Sequence, residues 1–310
     1  MNITFHKSTG IFHLYNNDIS YLMMILPNGQ IGQLYFGAAI RDREDFSHLL
    51  ETCYRTNSAY YSEELNTMCL EHLKQEYPVY GTSDFREPAV EVIQENGSHL
   101  SDFQYKGYRI EHGKPHLPGL PATYTEDDSE AMTLFLVLKD PVTGLMAELL
   151  YTIFNQGGIA RSVHFVNQGT EILHLGRAMS LSLDLPDSNY QWMQFSGAWG
   201  RERYLHTREL VPGITSIGST RGASSHEHNP FVILKRPHTD ELQGEAIGFS
   251  LVYSGNFLAQ AEVDNQSVTR ILMGIHPDTF DWKLSPGADF QTPEAVMVYT
   301  SCGLNHLSQT

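Results

Sequence analysis

Two short stretches of this chain gather side chains able to do chemistry. Gly197-Ala-Trp199-Gly-Arg201-Glu202-Arg203 sets one indole between small residues and follows it with three charged groups. The small neighbours leave the ring faces open to a flat ligand, and the charged run supplies groups that hydrogen-bond in pairs. An aromatic platform beside a charged fork suits a sugar or another polyol. The alternative is a core tryptophan at a strand end with a solvated charge run behind it. Ser224-Ser-His226-Glu-His228-Asn-Pro230 carries two histidines at i and i+2, which a strand would turn to one face. Even a catalytic zinc needs three protein ligands, and Pro230 implies a turn. These histidines are therefore expected to hydrogen-bond an irregular loop, and no metal site is expected.

Other chemistries lack their motifs. No G-x-S-x-G elbow joins a strand to a helix, and neither G-x-G-x-x-G nor G-x-x-x-x-G-K-[ST] occurs. No cofactor is expected. Carboxylates are plentiful, Asp84, Asp184, Asp187, Glu202, Glu262, Asp264 and Asp281 among them, but spacing along the chain does not show which two face each other. Arg86, two residues after Asp84, reads as a structural clamp on a neighbouring carboxylate.

The elements that must hold these groups are strands. Thr133–Lys139, Met146–Phe154, Ala160–Asn167 and Glu171–Asp184 are apolar or alternating runs separated by turn residues. Ser180-Leu-Ser-Leu-Asp-Leu185 alternates strictly, as a half-buried antiparallel strand does. Asn96-Gly97 is the strongest short hairpin signal. One short helix is expected at 63–75, where Leu65, Met68, Cys69 and His72 share a face and Pro78 follows. The connection before it, about Asp42 to Ser62, is long enough to be functional. The fold class is all-β: two large packed antiparallel sheets forming one domain over 1–310.

Composition narrows the partners. A net charge of −16 argues against nucleic acid and against an anionic membrane surface. Hydrophobic content of 41% with 18% charged residues describes an ordinary globular chain. Cys53, Cys69 and Cys302 are three sparse cysteines without C-x-x-C spacing, which suggests reduced thiols. No signal peptide or apolar span is legible, so a cytoplasmic setting is expected.

Six motifs occur in order: Gly81-Thr-Ser-Asp84-Phe-Arg86-Glu-Pro88, Gly119-Leu-Pro-Ala-Thr-Tyr124, Gly197-Ala-Trp199-Gly-Arg-Glu-Arg203, Arg221-Gly-Ala-Ser-Ser-His226, Tyr253-Ser-Gly-Asn-Phe257 and Met273-Gly-Ile-His-Pro277. Together they resemble the N-terminal region of bacterial α-galactosidases (melibiases) of glycoside hydrolase family 36, of the lactobacillus type. The resemblance implies a galactose-mutarotase-like β-supersandwich ahead of a catalytic (β/α)₈ barrel. It implies a retaining mechanism on melibiose- or raffinose-type oligosaccharides, with both aspartates on that barrel, and a tetramer in relatives. The sequence given stops at Thr310, before a barrel, so no catalytic residue is assigned to it. The resemblance makes Trp199 a wall of the galactose subsite, with Arg201 beside it. Relatives also bring an acidic residue and an arginine from the connection near 50–66. Here that connection reads Thr52-Cys-Tyr54-Arg55 and Glu64-Leu-Asn66-Thr67 and aligns with neither; Arg55 and Asn66 are the candidates it offers. The other readings are a stand-alone carbohydrate-binding module and a purely structural interaction domain.

Overall fold

The computed structural model describes residues 1–51, 60–66 and 68–310. In chain order the strands are β1 (Asn2–His6), β2 (Ile11–Tyr15), β3 (Ile19–Ile25), β4 (Ile31–Ala38), β5 (Val90–Ile93), β6 (Gln104–His112) and β7 (Ala131–Lys139). They continue with β8 (Leu145–Phe154), β9 (Gly158–Asn167), β10 (Leu173–Leu185), β11 (Gln191–Ala198), β12 (Arg201–Glu209), β13 (Gly213–Ser219) and β14 (His228–Lys235). The last are β15 (Ala246–Val252), β16 (Phe257–Val263), β17 (Thr269–Ile275), β18 (Trp282–Leu284), β19 (Asp289–Gln291) and β20 (Glu294–Thr300). The one α-helix among the described residues is α1 (Gly303–Gln309).

These strands build a four-stranded meander β1-β2-β3-β4, a sheet ordered β13-β16-β17-β10-β18 with β5 also on β10, and a larger sheet ordered β12-β11-β14-β15-β20-β9-β8-β7-β6. All the ladders among them are antiparallel. One apolar cluster joins them: Phe12 and Tyr21 from the meander, Leu181 and Leu272 from the second sheet, and Leu136, Tyr151 and Trp192 from the third. The all-β sandwich is thus observed, and the core tryptophan is Trp192, at 0% exposure. At the centre Glu76 accepts hydrogen bonds from Tyr21 and Tyr151 and pairs with Arg161 at 2.7 Å. Burying an ion pair is tolerable only with such partners.

Three expectations are corrected. Among the described residues of 63–75 no α-helix forms; one 3₁₀ turn spans Leu70–His72. Tertiary hydrogen bonds outbid the helical pattern here. Gln33 N donates to Lys74 O and Glu76 N to Ile31 O, which lays the chain along the edge of β4. The carbonyls of Leu70 and Leu73 accept from Arg86. The Asn96-Gly97 turn forms, with Gly97 at φ 80, but it closes no hairpin. β5 pairs with β10 instead, Ile93 opposite His174. Finally, β10 is buried on both faces at Ser180–Leu185. The serine face is covered because Asp184 accepts from Gln75 N, so the 70–90 segment lies over it.

The meander also anchors the start of the long connection. Asp42 accepts from both His13 (2.7 Å) and His6 (3.0 Å), while His13 Nε2 contacts Ser20 Oγ. Burial depresses the His13 pKa below 6.5 and outweighs the opposing effect of Asp42; the neighbouring His6 adds to the depression. A histidine whose folded pKa is lowered contributes stability that is fully present above its unfolded pKa and lost as pH falls towards the folded one. Wild-type stability, read by urea melts, is therefore expected to fall as pH drops below about 6.5. His13→Gln should flatten that slope, and an unchanged slope would refute the assignment.

Candidate functional site at one end of the sandwich

β11 and β12 form a hairpin with Ala198 opposite Arg201, leaving Trp199 and Gly200 as its two-residue tip. Gly200 has φ 78, which such turns require of a central residue. Gly197 is needed for a different reason: a Cβ there would collide with the Arg201 carbonyl and lie 3.0 Å from Glu202 Cα. The Glu202 carboxylate accepts from Gly200 N at 2.8 Å, which braces the tip and holds its pKa below the ordinary value. The result is a narrow, stiffened support carrying Trp199 at 89% exposure. The core-tryptophan alternative is thereby excluded.

A relay of side chains fixes the hairpin from inside. Trp192 Nε1 donates to Gln194, Gln194 donates to Ser196 Oγ, and Ser196 Oγ meets His228 Nδ1 at 2.8 Å. Burial keeps the His228 imidazole below its usual pKa, so it is neutral at physiological pH. Contrary to the expectation from its motif, His228 does not hydrogen-bond an irregular loop; it opens β14 and joins that strand to Ser196 of β11. Arg221 grips Glu227 through two nitrogens, at 2.6 and 3.2 Å.

Connections from distant parts of the chain are laced together beside the hairpin. Gly197 N donates to Glu227 O, Ser224 N to Ser254 O, and Gly222 N to Asn256 Oδ1. Asn256 in turn donates to Thr279 Oγ1, and its carbonyl accepts from His276 N. Four of the six sequence motifs so meet at one end of the sandwich. An open groove of about 620 Å³ runs along the hairpin, between Arg201, Tyr204, Leu205 and His206 on one flank and Glu227 and His228 on the other. Trp199 lies between Gly197 and Arg201, both of which line it. Every residue of β12 is exposed.

Of the sequence candidates, the structure brings Trp199 and Arg201 onto one hairpin. Asn66 is exposed in a turn and is absent from the groove lining, and Arg55 lies outside the described residues. Tyr204, His206 and Glu227 were not singled out from sequence; the uniformly exposed β12 carries no buried-face pattern to mark the first two.

Residues 29–285 match the glycosyl hydrolase family 36 N-terminal domain. The chain belongs to that family. Alpha-galactosidase AgaA of Geobacillus stearothermophilus is 47% identical over the whole chain, which covers 42% of that protein. The structure of the alpha-galactosidase from Lactobacillus brevis superposes with a TM-score of 0.97 at 45% identity, over 99% of this chain and 41% of that one. A variant of Geobacillus AgaA, solved in complex with raffinose, gives 0.93 at 48% identity, over 96% and 42%. This family 36 domain therefore spans about two fifths of the length of such relatives. No helix among its described residues is long and apolar enough to cross a membrane.

Proposed function

We propose that residues 1–310 form one accessory domain of an α-galactosidase that hydrolyses terminal α-galactosyl groups of raffinose- or melibiose-type oligosaccharides. In this reading the domain supplies one wall of the galactose subsite and carries no catalytic acid; the reacting carboxylates belong to a barrel that it docks. The observation that carries it is Trp199, an 89%-exposed indole on a braced hairpin tip whose flanking residues Gly197 and Arg201 line an open groove. A lone platform of this kind completes a sugar site when a second wall faces it. The all-exposed β12 is an unpaired edge, and natural proteins cover such edges with another element or subunit. Docking of the barrel and assembly into a homo-oligomer both answer that need. Cys69 and Cys302 are free thiols, in keeping with a cytoplasmic setting.

The test is turnover of a nitrophenyl α-galactoside by the 310-residue chain alone and after fusion to the part of Geobacillus AgaA that it does not match. The chain alone should be inactive and the fusion active. Turnover by the chain alone that disappears on substituting one of its own carboxylates would overturn the proposal. Calorimetric binding of free galactose by the chain alone would favour a self-sufficient carbohydrate-binding module instead.

A further inference from the structure

The 3₁₀ turn that replaces the expected helix collects three metal-binding side chains. One ligand atom each from Cys69, Glu71 and His72 lies within 4.8 Å of the other two. His72 Nε2 is 3.6 Å from Glu71 Oε1. We propose that Cys69 Sγ, a Glu71 carboxylate oxygen and a His72 ring nitrogen bind one zinc-class divalent transition-metal ion, with water in the fourth position. This departs from the sequence expectation of no metal site and is independent of the α-galactosidase reading.

The distances suit the ion. Metal bonds of about 2.3 Å to sulfur and about 2.0–2.2 Å to nitrogen and oxygen set tetrahedral neighbours roughly 3.3–3.7 Å apart. The histidine and the carboxylate already stand at that separation, and the widest gap needs to close by about 1 Å, which side-chain rotation supplies. The ligand set is selective. A thiolate with an imidazole favours zinc or cobalt, whereas magnesium and calcium want oxygen alone.

The backbone beneath is fixed beforehand, which distinguishes this turn from three ligands on a free loop. Leu70 is fully buried against Leu26, Met68 and Leu73. Leu70 N donates to Ser83 Oγ and Glu71 N to Ser83 O, at 3.3 and 3.2 Å. Arg86 Nη2 donates to the carbonyls of Leu70 and Leu73, and its own charge is met by Asp84 and Asp264. The Gly81–Pro88 motif thus acts as a staple under the turn, and binding would order little new backbone. The Cys69 and His72 side chains are covered, while Glu71 is a quarter exposed and leaves a path for the ion and its water. Because the thiolate is the form that binds metal, binding expels the Cys69 thiol proton to solvent as the metal–sulfur bond forms, one proton per ion.

The test uses the reduced, chelator-treated chain titrated with Co²⁺ and then displaced by Zn²⁺. The expected result is one ion per chain, a thiolate-to-cobalt charge-transfer band that Zn²⁺ abolishes and Mg²⁺ does not, and a binding enthalpy that varies with the buffer's ionisation heat. Since loss of a mere supporting contact costs about 10–100-fold in affinity, loss of a ligand should cost at least about 100-fold. Cys69→Ser should remove the charge-transfer band and His72→Gln should weaken binding, with Cys302→Ser unchanged. Glu71→Gln serves as a second variant because its side chain is partly exposed and its loss spares the fold. A band that survives Cys69→Ser, Zn²⁺ affinity unaltered by Glu71→Gln, or no binding at micromolar Zn²⁺ would each overturn the proposal.

Discussion

Replacing Arg270 by alanine is expected to cost about 3–5 kcal/mol of stability, the usual penalty for removing one partner of a buried ion pair. Arg270 is 1% exposed and holds two carboxylates at once. Its Nε donates to Asp184 Oδ1 and its Nη2 to Asp84 Oδ2, both at 2.8 Å, and its Nη1 reaches the Glu87 carbonyl at 3.2 Å. Arg86 continues the network, from Asp84 at 2.9 Å to Asp264 at 3.3 Å. Without Arg270, two fully buried carboxylates would share the single Arg86. A fall in the urea midpoint with an unchanged m-value is the expected signature, and a loss below about 1 kcal/mol would refute the account. The pH dependence follows with a definite sign. Burial pushes the Asp184 pKa up, but the charge and hydrogen bonds of Arg270, with Arg86, outweigh it, and the pKa stays below 3.8. An acid with a depressed folded pKa stabilises above its unfolded value, and that contribution is lost as pH falls through the folded one. The Asp184 contribution is thus intact at neutral pH and lost below about pH 3.8.

That network also marks how far the sequence could be read. Asp84 and Arg86 were legible as a clamp because they are two residues apart. Their partner Arg270 was not, because 186 residues separate it from Asp84 and only the fold closes the gap. The strands from Ala131 to Leu185 stood out because each carries a run of buried apolar residues. β12 did not, since a strand whose nine residues are all exposed has no inward face to write an alternating pattern. The segment at 63–75 failed for the opposite reason. Its apolar spacing is helical, but the run Leu73, Lys74, Gln75 and Glu76 is buried at consecutive positions, which the single buried face of a surface helix does not allow. At the site, Trp199 was visible as a residue type. Its exposure was not, because that depends on the turn geometry of Gly197 and Gly200 and on where the hairpin stands in the sheet.

That geometry sets the largest functional prediction. In the fusion to the part of Geobacillus AgaA that the chain does not match, Trp199→Ala should lower kcat/KM for an α-galactoside by about 5- to 10-fold, the equivalent of about 1–1.5 kcal/mol of lost stacking. Stacking on a sugar ring that persists from substrate to transition state should appear mainly as a raised KM with kcat nearly unchanged. Trp199→Phe keeps an aromatic face and should recover part of the loss. Stability should not move, because the indole is 89% exposed and touches no part of the core. This combination separates the platform from a structural role: a tryptophan that merely held the hairpin would lower the urea midpoint and would not be rescued through KM by another ring. The braces around it make the same distinction from the other side. Gly200 and Glu202 fix the tip without contributing a stacking face, so weakening them should loosen the position of Trp199 while leaving its chemistry in place. Unchanged kinetics in Trp199→Ala would remove the galactose wall from this hairpin and leave β12 as a docking edge alone.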